Sequence, residues 1–330
     1  MPELRLHANE NPWGPVGGGD DALWQYPEDL GELEQQLAQR LGCRPGDIVL
    51  GNGSTELISL LVLALTDTAG AVAACAGSFV AYRSIARGAG RRLQLAPPHP
   101  GGGTDLDALR AVIDARTQLV FLANPDNPSG AVLSEEALRR FLCSLPDGPI
   151  VVLDEAYREY VDDPRYPLPG ALRGPRLVVL RTFSKAYGLA GLRCGYAVCP
   201  EAISSRLRAL GGPFRVGRLT RTAALCALRA SGELQVRVDR TRAARQALGE
   251  ALRAEGLVVA ESHTSFLMVT LPVPAARAAA ALLRRGVRVQ PLDDYGRPWS
   301  IRVTVGRPAG HGRLLSALRE IISGGRQRAG

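Results

Sequence analysis

Three stretches of this chain, "QLVFLANP" (118–125), "PIVVLDEAY" (149–157) and "RLVVLRTF" (176–183), carry unbroken apolar runs rich in Val, Ile and Leu. A strand with one wet face alternates polar and apolar residues. Continuous short runs instead suit strands covered on both faces, as in a parallel sheet. Helix-like runs lie between them. In "SEEALRRFLCSL" (134–145), Ser134 reads as an N-cap, and Glu135 and Glu136 fall in the first turn, where the helix dipole favours acids. Upstream, "DLGELEQQLAQRL" (29–41) has helical spacing, "DIVLGNG" (47–53) leads into the helix "STELISLLVLAL", and "AVAACAG" (71–77) reads as a strand. This alternation predicts an α/β fold: a mostly parallel central sheet flanked by helices on both faces. From about residue 200 the texture changes to long Arg/Ala/Leu helices, the short strands of "VVAESHTSFLMVTL", "GVRVQPL" and "WSIRVTVG", and a closing helix "GRLLSALREII". A smaller α+β C-terminal domain is expected, hinged near 210–235. The division is an N-terminal arm over 1–25, a large domain over 26–225 and a small domain over 226–330. The Gly-rich stretches 17–21 and 324–330 are expected to be flexible.

Bulk properties narrow the function. Hydrophobic content of 46% and charged content of 22% are ordinary for a soluble protein. The net charge of +8 comes from arginines spread along helical faces, often beside acids, which argues against nucleic-acid binding. Cys43, Cys75, Cys143, Cys194, Cys199 and Cys226 form no CxxC pair, so buried free thiols in a reducing cytoplasm are expected. Four histidines without ligand-like spacing argue against a metal site. The opening "MPELRLHANENPWGP" does not read as a signal peptide, and the longest apolar run (57–65) is too short to span a bilayer. A cytoplasmic location is expected.

In an open α/β sheet, ligands gather at the carboxyl ends of the strands. There this sequence places "GNGST" (51–55), a Gly-rich turn opening a helix whose free N–H groups suit phosphate. The same edge receives "NPDNPSG" (124–130), "DEAY" (154–157) and "TFSK" (182–185), with Arg193 soon after. Lys185 is the only lysine among the 40 basic Lys and Arg residues. Arginine replaces lysine as a surface cation but cannot release its proton to become an amine nucleophile. Each motif alone has a bland reading as a turn, a helix cap or a chance survivor, but the ordered set points to amine chemistry beside a phosphate cradle.

That set resembles the fold-type I pyridoxal-phosphate (PLP) enzymes of the class I/II aminotransferases, and within them the histidinol-phosphate aminotransferases. The likeness runs from about residue 5 to 320 through "LHANENPWGP", "YPED", "VLGNGSTELISLL", "NPDNPSG", "VVLDEAY", "LRTFSKAYGLAGLRCGY" and "IRVTVG". It implies the following roles. Lys185 would bond the cofactor as an internal aldimine and then shuttle protons. Asp154 would keep the ring nitrogen protonated, making the ring an electron sink. Asn127 and Tyr157 would bond the phenolic oxygen, and Phe79 would stack on the ring. Backbone N–H groups of Ser54 and Thr55, the Thr182 and Ser184 hydroxyls and Arg193 would hold the phosphate. Tyr26 would reach the phosphate of a neighbouring subunit's cofactor, implying a homodimer with shared sites. Arg302 would clamp a substrate carboxylate.

Two positions depart from the family pattern. Where those enzymes carry an arginine that meets the substrate phosphate, this chain has Gln290, with Arg288 two residues away; His7 replaces an asparagine of the opening motif. The implied activity is amino transfer between an amino acid, or a histidinol-phosphate-like amine, and a 2-oxo acid, in a specialised relative of the histidinol-phosphate enzymes. A decarboxylase similar to the threonine-phosphate type, or a cyclase or eliminase, stays open on the same fold. A PLP-binding sensor without turnover is the reading from another class.

Overall fold

The computed structural model of the protein describes residues 26–27, 31–168 and 170–326. The expected arm over 1–25, with His7 and the 17–21 stretch, lies outside the described residues. In chain order the first elements are α1 (Glu32–Leu41), β1 (Ile48–Asn52), α2 (Ser54–Leu65), β2 (Ala71–Cys75), α3 (Ala81–Gly88), β3 (Arg92–Ala96), α4 (Leu106–Ala111) and β4 (Thr117–Ala123). Next come α5 (Glu135–Ser144), β5 (Ile150–Asp154), β6 (Leu177–Thr182), β7 (Cys194–Val198), α6 (Glu201–Gly211), α7 (Arg218–Arg229) and α8 (Ser231–Ala254). The remainder is β8 (Val258–Val259), β9 (Phe266–Thr270), α9 (Ala275–Arg284), β10 (Gln290–Leu292), β11 (Arg297–Thr304) and α10 (His311–Arg326).

The first sheet has the order β1-β7-β6-β5-β4-β2-β3. Strands β2 to β6 pair in parallel, while β7 is antiparallel to both β6 and β1. Two antiparallel steps restore direction, so β1 points the same way as β6. The carboxyl ends of β1, β4, β5 and β6 therefore share one edge, and β7 starts from it. Strands β3 and β7 were not anticipated: "RLQLA" and "CGYAV" are too short and mixed to stand out from their flanks.

Both faces are covered. Leu57, Ile58 and Leu61 of α2, Tyr82 and Ala86 of α3, and Ile203 and Leu207 of α6 pack on one. Leu109 of α4 with Leu138 and Phe141 of α5 pack on the other. Truncating a fully buried leucine such as Leu57 to alanine would cost about 2–5 kcal/mol. Ser134 caps α5 as expected, its hydroxyl accepting from Ala137 N at 3.2 Å.

A second sheet, β10-β11-β9-β8, carries its own core against α8, α9 and α10. Helices α6 and α7 belong with the first sheet, since Ile203, Leu207, Ala224 and Leu228 are buried there. Helix α10 continues to Arg326, into the 324–330 stretch expected to be flexible, because Leu314, Ala317 and Leu318 anchor it on the second core. The thiols also need correction. All six cysteines are free, but Cys143 and Cys226 are exposed, lying on the outer sides of α5 and α7.

Candidate active site

Strand register gathers the site. Ala123 pairs with Asp154, Asp154 with Leu180, Thr182 with Gly195 and Cys194 with Asn52, so these strand ends form one row. A cleft opens above that row. Its lining includes Ser54, Thr55, Phe79, Asn127, Asp154, Tyr157, Thr182, Ser184, Lys185 and Arg193. These ten expected residues come together.

One end of the cleft is built for an anion. Gly53 precedes α2 with φ 79°, and no side chain caps the helix, which leaves its first N–H groups available. Arg193, itself at φ 53°, lays its guanidinium over Gly53, donating to Ser184 Oγ at 3.2 Å and Ala190 O at 3.0 Å. A Cβ on Gly53 would collide with that guanidinium, so the close approach requires glycine. Thr182 lines the cleft too, yet its hydroxyl donates to Cys194 O at 3.1 Å and accepts from Ser184 N at 3.0 Å. It braces the turn that carries Ser184 and Lys185.

The other end is acidic and buried. Burial raises the Asp154 carboxyl above the usual range, opposed by hydrogen bonds from Tyr82 and Ala156 N and by the charge of Lys185. Tyr82 donates to Asp154 Oδ2 at 2.8 Å, and Ala156 N to Oδ1 at 3.1 Å. Tyr82 was missed in the sequence; its only signal was an aromatic three residues after Phe79, against whose ring it packs edge-on at 5.5 Å. Between the two ends, Lys185 is exposed to the cleft, with Nζ 5.3 Å from the centre of the Tyr157 ring. Burial of its amine, and next the charge of Arg302, lower its pKa below that of an ordinary lysine. Burial pushes the Tyr157 hydroxyl up to about 12, partly offset by Arg302, so it stays a neutral donor at physiological pH.

The three remaining expected residues lie around this cleft or apart from it. Arg302 on β11 donates to Asn127 Oδ1 and sits 5.3 Å over the Phe266 ring. Gln290 pairs with Arg302 across β10 and β11, which puts both side chains on one sheet face. Gln290 is exposed, its Nε2 bonded to Pro291 O at 3.0 Å. Arg288, exposed between the half-buried Val287 and Val289, continues the same alternation. Tyr26 is not in the cleft; it is half-exposed and stacks on Phe214 at 4.8 Å. Among the described residues, no group of three His, Cys, Asp or Glu side chains could hold a metal ion, and no helix is long and apolar enough to cross a membrane.

An amine nucleophile, an anion cradle and a buried carboxylate at the far end fit an aromatic aldehyde phosphate with a basic ring nitrogen. The family described as aminotransferase class I and II matches residues 18–318. The chain belongs to the class I and II aminotransferase family. It is a PLP-dependent aminotransferase of fold type I. It is 37% identical to histidinol-phosphate aminotransferase 1 of Cupriavidus pinatubonensis, covering 97% of this chain and 88% of that one. It is 38% identical to an aromatic amino acid aminotransferase of Streptomyces avermitilis, covering 92% and 86%. The solved histidinol-phosphate aminotransferase of Sinorhizobium meliloti, in complex with pyridoxal-5'-phosphate, superposes with a TM-score of 0.84 at 30% identity, covering 96% and 90%. The sequence expectation of fold, enzyme class and cofactor for this aminotransferase therefore holds.

Proposed function

We propose that this aminotransferase moves an amino group between an unphosphorylated L-amino acid and a 2-oxo acid, with Lys185 carrying the cofactor. The observation behind the substrate choice is Gln290 beside Arg302 on one face of the β10–β11 pair. Arg302 offers a fork for the substrate carboxylate, oriented by Asn127. Gln290 offers neutral donors where the family resemblance places a cation, and neutral bonds are roughly half as strong as charge-assisted ones.

The cofactor, when bound, supplies an electron sink for the carbanion at the substrate α-carbon. Lys185 Nζ would hold the cofactor and is the group that would move the proton at that carbon; its lowered pKa supports the neutral amine this requires. Asp154 would hold a proton on the ring nitrogen. Tyr157 and Asn127 would donate to the phenolic oxygen, and Phe79 would cover the ring. Ser54 and Thr55 N–H, Ser184 Oγ and Arg193 would hold the phosphate, with Thr182 setting their turn.

Three further readings are proposed on the same footing. The protein is a homodimer in which Tyr26 reaches the partner's phosphate site; its exposure and the exposed Phe214 beside it support this. It works in the cytoplasm, in keeping with its free thiols. Its two sheets, each with a separate core, support a large and a small domain, but the expected division at 225/226 falls inside α7, whose Leu228 packs on the large core, so we place the boundary after Arg229.

Steady-state kinetics on histidinol phosphate beside a panel of L-amino acids, with 2-oxoglutarate as acceptor, tests the central proposal. An amino acid should give the highest kcat/KM. A clear preference for histidinol phosphate would show that Arg288 meets the phosphate instead. Sedimentation should show a dimer at assay concentration; an active monomer would refute the shared site.

A further inference from the structure

A buried ion cluster lies behind the active cleft, on the opposite face of the same strands. Successive strand residues point to opposite faces. Thus Asp154 and Thr182 line the cleft, while their neighbours Glu155 and Arg181 face the back. Glu155, 4% exposed, accepts from Arg181 Nε at 2.9 Å and Nη2 at 2.6 Å through one oxygen. Its other oxygen accepts from Arg158 Nη1 at 2.9 Å. Arg158 also lies 5.1 Å over the Tyr166 ring, and Tyr166 donates its hydroxyl to Asn124 O at 2.5 Å.

The members are spaced along the chain so that each adjoins a different part of the site. Glu155 follows Asp154, and Arg158 follows Tyr157. Arg181 precedes Thr182 in the segment that ends at Lys185. The Asn124 carbonyl begins the turn that presents Asn127. A buried ion pair adds little stability over a well-packed apolar substitute, because desolvation offsets most of the attraction. Its directional, charge-assisted bonds nevertheless fix the relative position of the segments that carry it.

We propose that Glu155, Arg181, Arg158 and Tyr166 are positioning residues: they hold the ends of β4, β5 and β6 at the spacing that aligns Asn127, Asp154 and Lys185 on one cofactor. The proposal rests on the roles given to those three residues above. None of the four touches the cleft chemistry; they act through the strand ends. A misplacement of about 1 Å at such a site costs on the order of a hundredfold in rate.

Two variants and a control test it. Glu155→Gln keeps the size of the side chain and loses its charge. Tyr166→Phe removes only the hydroxyl on Asn124. Leu282→Ala, in the core of the second sheet, is destabilised without touching the cluster. Each holoenzyme is measured for its thermal midpoint, for kcat and KM with one amino donor, and for the pH midpoint of its visible cofactor absorbance. Both cluster variants should lower kcat by about tenfold or more while donor KM stays within about threefold. Both should move the absorbance midpoint by about half a pH unit or more, since the groups around the cofactor shift relative to one another. Leu282→Ala should move the thermal midpoint alone. Folded cluster variants with wild-type kcat and absorbance midpoint overturn the proposal, as does a control that shifts both equally. If Glu155→Gln does not fold, Tyr166→Phe decides. A wild-type protein lacking cofactor absorbance would sink the site assignment and this proposal with it, whereas a normal wild type beside unchanged variants sinks this proposal alone.

Discussion

Tyr82 donates its hydroxyl to Asp154 Oδ2 across 2.8 Å, and both side chains are buried. The bond lowers a carboxyl that burial raises. It therefore helps keep Asp154 ionised and takes up one oxygen, fixing the direction of the other.

Tyr82→Phe should lower kcat by about tenfold or more, as expected for loss of a hydrogen bond to a charged group worth about 1.5–3 kcal/mol. Without the donor, the Asp154 pKa rises further, so the loss should be greatest in acid and the acidic limb of the kcat profile should move to higher pH. Asp154→Asn should fold and lose nearly all turnover. A Tyr82→Phe profile superimposable on wild type would remove Tyr82 from the site.

Borohydride reduction of the holoenzyme should fix the cofactor on the single peptide containing Lys185, and Lys185→Ala should show no bound-cofactor absorbance. The pH dependence follows from the lowered pKa of the amine. Cofactor capture by the apoenzyme should have its midpoint below that of a free lysine amine. The folded state also disfavours the proton, so that destabilisation is present below the folded pKa and fades as pH rises through it. Apoenzyme stability relative to Lys185→Ala should therefore increase with pH. Label recovered only at the N-terminal amine would contradict the assignment.

Gly195→Ala should weaken cofactor binding more than it changes secondary structure. A Cβ there would lie 2.5 Å from Ser54 N and 3.0 Å from Arg181 O, both backbone atoms that cannot rotate away. The start of α2 must shift, and with it the N–H groups proposed to hold the phosphate. Equilibrium titration with PLP should show at least about tenfold weaker affinity, given that each charge-assisted bond is worth about 1.5–3 kcal/mol. Unchanged affinity would mean that the cradle lies elsewhere.

Arg302→Ala should cost about 2–5 kcal/mol in kcat/KM, mainly with substrates bearing an α-carboxylate, because it leaves a charge unpaired. Gln290→Arg should raise kcat/KM for histidinol phosphate relative to amino acids by about tenfold or more, through one charge-assisted contact. An unchanged ratio would show that this position does not face the substrate.

The sequence by itself determined the parts that depend on neighbouring residues. Apolar runs fixed β4, β5 and β6, because burial on both faces leaves a continuous signature. Ser134 fixed the start of α5, because capping is a local bond. The lone lysine singled out Lys185, because no arginine can supply a neutral amine. Tertiary structure decided what depends on register and direction. Only the antiparallel insertion of β7 returns β1 to the direction of β6 and brings Gly53 under Arg193. Only packing carries Tyr82 from α3 to Asp154 on β5, since their separation along the chain leaves no periodic trace. The β10–β11 pairing likewise decides that Gln290 shares a face with Arg302, because a slip of one residue would turn it away.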